Sequence, residues 1–213
     1  KKKSIMVYNP FFFKTSPKNN YNKLLSELNE IKKKKKIIGF ISNFSSRKKP
    51  DFFMKIAKHL VIKKKEENLF FAMFGDFKEY NPSFRKEIKD HNLTNHLKLF
   101  GFVEKVDEIM SCLDLIICPA EKEPFGRVLI EAMKNKVPIV ASRSGAHQEI
   151  ITNKKYGSLV EPDNFLEFVK HVKIKLVKNP SNLNRTFSYA IKKFNAEIHV
   201  KKIKKIYFEL IKT

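Results

Sequence analysis

The 213 residues predict an α/β fold, a single domain whose parallel sheet carries helices on both faces. Three observations lead there. Apolar runs of strand length alternate with stretches whose apolar residues recur at helical spacing. Gly, Pro or Asn punctuates the junctions. The hydrophobic share, 42%, is ordinary for a globular chain and sufficient for one packed core at this length. Strands that alternate with helices pair in parallel, because each crossover lays a helix on one face of the sheet.

In chain order, a short apolar run at residues 5–8 reads as a strand and is followed by Asn9-Pro10. A polar stretch over 15–36 then ends in five consecutive lysines. Residues 1–36 accordingly read as an interdomain tail and linker, and 37–213 as the domain. Strands are predicted at 37–41, 69–75, 97–102, 115–118, 138–142 and 158–160. Phe52, Phe53, Ile56, Ala57, Leu60 and Val61 repeat at helical spacing behind Pro50 and Asp51, two residue types that favour a helix start. Further helices are predicted at 84–90, 106–112, 126–135, 146–151 and 165–178.

After Pro180 the pattern stays helical to the end. Val200, Ile203, Ile206, Tyr207, Leu210 and Ile211 form one stripe, with Lys201, Lys202, Lys204 and Lys205 largely off it. The favoured arrangement docks this closing helix on the protein with its lysines in solvent. Its alternative is peripheral attachment to an anionic membrane.

Composition narrows the function classes. No stretch approaches the roughly 20 apolar residues of a membrane span, and residues 1–8 lack the apolar run of a secretory signal, so a soluble, cytoplasmic protein is expected. The formal net charge is +22, yet only five of the 44 basic residues are Arg. Nucleic-acid sites favour Arg for its bidentate contacts, so a lysine excess spread along the whole chain does not suggest nucleic acid. Cys112 and Cys118 lack the paired spacing of a zinc site and read as small buried hydrophobes. The six histidines, His59, His91, His96, His147, His171 and His199, read as ordinary core or surface residues, and no catalytic base is assigned.

The chemically informative segment is residues 119–157. The predicted strand 115–118 ends in Pro119, an acidic loop follows, and Phe125-Gly126 opens a helix whose Val128, Leu129, Ala132 and Met133 face the sheet. The loop therefore sits at the carboxyl edge of a parallel sheet, where ligands bind, and the helix offers free N–H groups suited to a diphosphate. Gly126 lets a ligand approach the backbone. Glu123 lies just before the helix and Glu131 about two turns into it. Two fixed acceptors about a diphosphate suit the hydroxyls of two sugars, although Glu131 taken alone also reads as a solvated helix residue.

EPFGRVLIEAM, residues 123–133, closely resembles the E-x7-E signature of retaining GT-B glycosyltransferases of family four, the glycosyl transferases group 1. The resemblance extends through PIVASRSGAHQEII and YGSLVEPDN downstream and FGDF, KLFGFV and DLIICPA upstream, from about residue 37 to the C-terminus. It implies that this chain is the C-terminal, nucleotide-sugar-binding half of a GT-B fold, a Rossmann-like domain with closing helices. An N-terminal acceptor domain carrying the catalytic His is then missing, and residues 5–10 resemble the end of the connection between the two.

Carried over by position, the resemblance assigns Glu123 to the donor-sugar hydroxyls as the catalytic-site carboxylate. Phe125, Gly126, Arg127 and Val128 present main-chain N–H groups to sugar and phosphate, and Glu131 takes the ribose hydroxyls. Lys48, from IGFISNFSSRKKPD, neutralises the diphosphate. There Asn43 stands in place of the family's Arg and Lys49 in place of its Gly, so that Arg47 or Lys49 is a substitute cation. Phe102 is a weaker candidate for flanking the base. Gly145 and Glu149 match the post-strand motif in part and read as shaping the loop.

The expected function is transfer of a sugar from a nucleotide-diphosphate-sugar donor to a glycan or lipid-linked acceptor with retention of anomeric configuration. Such an enzyme belongs to polysaccharide or lipopolysaccharide biosynthesis, at the inner membrane face if the closing helix touches lipid. No cofactor is expected. No metal is expected either, because Asp-x-Asp is absent and the helix N-terminus with Lys48 supplies positive charge. The alternative is a noncatalytic nucleotide-sugar or polyanion-binding module, since fold alone does not fix function.

Overall fold

The computed structural model describes residues 4–12, 22–76, 81–177 and 183–211. Phe77 of the FGDF stretch, Lys178, Pro180 and part of the polar stretch lie outside the described residues.

Six strands form one fully parallel sheet in the order β3-β2-β1-β4-β5-β6. They are β1 (Lys36–Ile41), β2 (Leu69–Phe74), β3 (Leu97–Gly101), β4 (Leu115–Cys118), β5 (Ile139–Ser142) and β6 (Ser158–Val160). All six coincide with the predicted runs to within a residue or two. The helices are α1 (Asn22–Lys32), α2 (Pro50–Lys58), α3 (Asn81–Asp90), α4 (Val106–Met110), α5 (Arg127–Lys134), α6 (Ala146–Ile150), α7 (Phe165–Val177), α8 (Leu183–Phe194) and α9 (Ala196–Ile211). A single π-type turn, His59–Lys63, prolongs α2.

The strands are apolar on both sides because both faces are covered. Alternation along each strand divides the core in two. Ile37, Ile41, Phe70, Phe74 and Ile116 face a layer that includes Leu129 and Met133 of α5 and Phe194 of α8. Ile38, Phe40, Phe71, Met73 and Ile117 face the other, with Phe53 of α2, Phe84 of α3 and Phe168 of α7. The strand order reverses between β1 and β4, which pair directly at Ile38↔Leu115 and Gly39↔Ile116. Their C-terminal ends diverge there into separate loops, and that split creates the crevice in which such sheets hold ligands.

Three parts of the chain differ from the prediction. Residues 22–32, placed in the linker, form α1, and Leu28 is fully buried in the core. Leu24, Leu25, Leu28 and Ile31 supply the apolar face among charged neighbours. Glu27 of α1 pairs with Lys98 at 2.5 Å, and Lys32 donates to the Ser111 carbonyl at 3.2 Å. The domain therefore takes in part of the segment read as linker.

Residues 5–8, predicted as a strand, take no regular secondary structure and join no sheet, and Ile5 and Met6 are exposed. They run instead to the α8–α9 junction. There Phe11 N–H donates to the Phe194 carbonyl at 2.8 Å, Ala196 N–H donates to the Phe11 carbonyl at 3.2 Å, and Nδ1 of His199 meets the Tyr8 carbonyl at 2.8 Å.

The helical pattern after residue 180 is two helices, broken at Asn195. No side chain of α9 is fully buried. Ile203 and Ile206 of its stripe are half-buried, while Val200, Tyr207, Leu210 and Ile211 are exposed. The expected docking is therefore partial, because α9 runs past the body it starts on. Among the described residues no helix is long and apolar enough to cross a membrane.

Candidate functional site

Two loops meet at the β1/β4 switch point. After β1 the chain makes a 3-10 turn at Ser46–Lys48 and enters α2 through Lys49, which adopts a left-handed backbone with φ 54°. Pro50 at the first helical position suits that abrupt start, since it lacks an N–H to satisfy. The turn is tied to the loop after β4: Glu121 N–H donates to the Arg47 carbonyl at 2.9 Å, and Arg47 Nη1 donates to the Lys122 carbonyl at 3.3 Å.

The loop after β4 ends at Gly126, which caps α5 in a left-handed conformation, φ 75°. Glu123 sits beneath it, buried. Its Oε1 accepts the Gly126 N–H at 3.1 Å and its Oε2 accepts Lys48 Nζ at 2.5 Å, with Arg47 Nη1 at 3.9 Å from the same oxygen. Burial pushes the Glu123 carboxyl upward, but Lys48 and the Gly126 N–H more than offset it, and the group is held below the usual carboxylate range. It is an anion with its charge met from two sides.

Gly145, the residue before α6, fixes Glu123 from behind. Its φ of 55° with ψ of −139° is a backbone conformation essentially restricted to glycine. A methyl group there would fall 2.4 Å from the Glu123 carbonyl oxygen and 2.6 Å from its nitrogen. The next residue, Ala146, donates its N–H to that Glu123 carbonyl at 2.8 Å.

A cavity of about 250 Å³ opens between these parts, with Phe40 and Ile41 of β1 and Ile117 and Cys118 of β4 at its floor. Lys48, Glu123, Phe125, Gly126, Arg127 and Val128 all line it. A second cavity of about 710 Å³ shares Phe125 and Arg127 with the first and contains Glu131 and Glu108. Glu131 is nearly buried, with Arg127 Nη2 3.6 Å from its Oε1. Burial raises its carboxyl above the ordinary value, and Arg127 opposes the rise. Both carboxylate oxygens of Glu108 are buried with no hydrogen-bond partner among the described residues.

Six of the predicted site residues, Lys48, Glu123, Phe125, Gly126, Arg127 and Val128, thus line one cavity at the start of α5. Glu131 lies on the neighbouring side from Lys48 and Glu123, as its two helical turns require. Asn43 is exposed and its side-chain oxygen accepts from Ser42 Oγ at 3.4 Å. Phe102 is 72% exposed and lines neither cavity. Lys49 does not face the cavity as a spare cation. Its Nζ pairs with Glu121 and sits 2.6 Å from both carboxylate oxygens of Asp163, which lashes the loop after β4 to the one after β6. Of the two substitute cations, Arg47 is the one beside Glu123.

His147 was read as an ordinary histidine, but it lines the first cavity and is 2% exposed. Its place two residues after Gly145 was the available signal. Burial pushes its imidazole down to about 4, with Glu123 pulling the other way. Cys118, at the cavity floor, is pushed up to about 12 by burial and is an unreactive thiol. Among the described residues no three His, Cys, Asp or Glu side chains are grouped to hold a metal ion.

Comparison with known proteins bears on the fold and the family. N-acetyl-alpha-D-glucosaminyl L-malate synthase of Bacillus anthracis is 26% identical over 189 residues, which is 85% of this chain and 48% of that protein. UDP-Gal:alpha-D-GlcNAc-diphosphoundecaprenol alpha-1,3-galactosyltransferase of Escherichia coli is 22% identical over 93% of this chain and 52% of its own length. The chain thus spans about half the length of these curated relatives. Among solved structures, Anabaena HepE in complex with UDP matches with a TM-score of 0.80 at 23% identity, over 95% of this chain and 57% of that one. A glycosyltransferase from Rickettsia africae matches with a TM-score of 0.79 at 22% identity, over 97% and 56%. At such identities the structural likeness carries the fold, a Rossmann-like half of a GT-B architecture. The sequence itself matches the family model described as glycosyl transferases group 1 across residues 23–194, and this chain belongs to that family.

Proposed function

We propose that this chain is the donor-binding half of a glycosyltransferase that moves a sugar from a nucleotide diphosphate to a glycan or lipid-linked acceptor with retention of configuration. The acceptor-binding domain is then a partner domain outside this chain. The observation that carries the reading is the cavity at the β1/β4 switch, where a glycine-capped helix N-terminus, Lys48 and the anionic Glu123 converge. As the sugar leaves, negative charge grows on the diphosphate. The first N–H groups of α5 and the Lys48 ammonium are fixed where that charge develops, which lowers the barrier without rearrangement. Glu123 accepts sugar hydroxyls and orients the ring. Glu131 takes the ribose hydroxyls.

UDP bound to Anabaena HepE makes uridine nucleotides the first probe. Calorimetric titration with UDP-, GDP- and ADP-sugars is expected to show saturable binding of one nucleotide class, weakened about tenfold by Glu131→Ala. Binding confined to DNA or other polyanions and abolished by moderate salt would overturn the reading in favour of a polyanion-binding module.

The proposal extends to a cytoplasmic protein in peripheral contact with an anionic membrane face. It rests on α9, whose exposed Val200, Tyr207, Leu210 and Ile211 are flanked by Lys201, Lys202, Lys204 and Lys205. Sedimentation with phosphatidylglycerol vesicles, lost in Tyr207→Ser/Leu210→Ser, is the expected result; equal sedimentation with neutral vesicles would refute it.

A further inference from the structure

His147 carries a piece of chemistry that the reading above does not use. Ser142 Oγ donates its hydrogen to the Ala120 carbonyl. That leaves Ser142 Oγ as an acceptor toward His147 Nδ1 at 3.2 Å, and the Ser142 carbonyl, 3.1 Å from the same nitrogen, can only accept. Both contacts therefore require the proton on Nδ1. In a neutral ring Nε2 is then bare and presents a lone pair. Among the described residues the hydrogen-bond contacts of the ring are both made at Nδ1. The ring itself lines the cavity at the start of α5. The ring edge that bears Nε2 lies against the start of α5, since a methyl group on Gly126 would meet His147 Cδ2 at 3.3 Å and Glu123 Cγ at 3.7 Å.

Resting on the donor-site reading, we propose that His147 is a further donor-site residue, whose Nε2 accepts a hydrogen bond from a hydroxyl of the donor sugar beside Glu123. The imidazole stays neutral at physiological pH because burial, aided by Lys48, disfavours its charged form and outweighs the Ser142 carbonyl and Glu123. Glu123 and His147 together give the sugar pocket two acceptors. A sugar with free hydroxyls satisfies both, whereas a deoxy or O-alkylated sugar leaves a buried acceptor unmet, and such a loss discriminates more strongly than a missing apolar contact.

Two substitutions separate this role from a structural one. His147→Asn keeps an amide donor where Nδ1 faces Ser142 and removes the acceptor at Nε2. His147→Gln places a side-chain amide at the Nε2 position and gives up the bond to Ser142. The quantity to measure is the affinity of UDP-glucose relative to UDP, by calorimetry, with circular dichroism as the check on folding. His147→Asn is expected to lower that ratio about tenfold, with UDP affinity changed less than twofold, and His147→Gln to restore much of it. One member of a UDP-deoxyglucose series should show the low ratio with the native chain already and lose nothing more in His147→Asn.

A ratio unchanged in His147→Asn overturns the proposal while leaving the donor site standing. So does the reverse order, with His147→Gln unfolded or weak toward UDP and His147→Asn normal, which is the signature of a purely structural histidine. If the native chain binds neither UDP nor UDP-glucose, the donor-site reading falls for uridine nucleotides, and this proposal falls with it.

Discussion

Gly145→Ala is the sharpest single test of how Glu123 is held. The added methyl group would lie 2.4 Å from the Glu123 carbonyl oxygen, where ordinary contact begins at 3.4 Å. The loop must therefore yield by about 1 Å against a packed neighbour, and overpacking of this kind costs about 1–3 kcal/mol. The backbone at φ 55°, ψ −139° adds about 1–3 kcal/mol of strain for any residue with a Cβ. Together these amount to about 4 kcal/mol, or roughly 8–16 °C in melting temperature for a chain of this size. Gly101→Ala is the control: φ is 88°, but nothing lies within 4 Å of the added methyl, so only strain is felt. Thermal unfolding of both variants, with nucleotide-sugar titration of each, separates the contributions. Gly145→Ala should melt well below Gly101→Ala and lose donor affinity, because the atom it displaces belongs to Glu123. Equal melting temperatures, or an undiminished affinity in Gly145→Ala, would refute the argument that this close approach sets the carboxylate.

Three other outcomes are expected. Leu28→Ala should cost about 3 kcal/mol in urea unfolding, since the side chain is fully buried; a loss below about 1 kcal/mol would show that α1 lies outside the cooperative unit. His147 titrates at about 4 when folded against 6.5 when free, so below pH 6.5 the unfolded chain binds the extra proton. Stability should therefore fall from pH 6.5 toward 4, by about 3 kcal/mol at most, with no contribution above pH 6.5, and melting curves of His147→Phe should lack that component of the slope. Lys49→Ala should cost about 1 kcal/mol in the same unfolding assay and speed amide exchange in residues 119–126, and Lys49→Gly should cost less because the site has φ 54°.

The sheet was legible in the sequence because β1 to β6 are short apolar runs between turn residues, and a strand buried on both faces leaves that mark whatever its neighbours. The start of α5 was legible for a different reason: Phe125-Gly126 and the two glutamates are local in sequence, and the helix sets their spacing. What was hidden depended on contacts between distant segments. The apolar face of α1 stands among lysines, and its burial depends on β1 and on Ser111 and Lys98, far along the chain. Lys49 reads as one cation in a basic loop until Asp163, more than 100 residues on, is seen to hold it. His147 looked like any histidine because its tautomer is dictated by Ser142, whose own hydrogen is taken by Ala120. The exposure of α9 was likewise invisible, since amphipathic spacing reports a face and not what covers it.

The crossing of residues 8–11 with residues 194–199 has a mechanical meaning. Phe11 and Asn195 pair in parallel, and every strand of the sheet lies on the loop of chain between them. Tension applied between residue 4 and residue 211 therefore meets this crossing first, and in a parallel pair such a pull acts in shear, loading the bonds of Phe11 to Phe194 and Ala196 together. Until they rupture, these bonds share the load with the packing of Phe11 and Phe194 on the sheet. In a single-molecule pulling trace the first event should be a small extension with nucleotide binding intact, followed by collapse of the sheet.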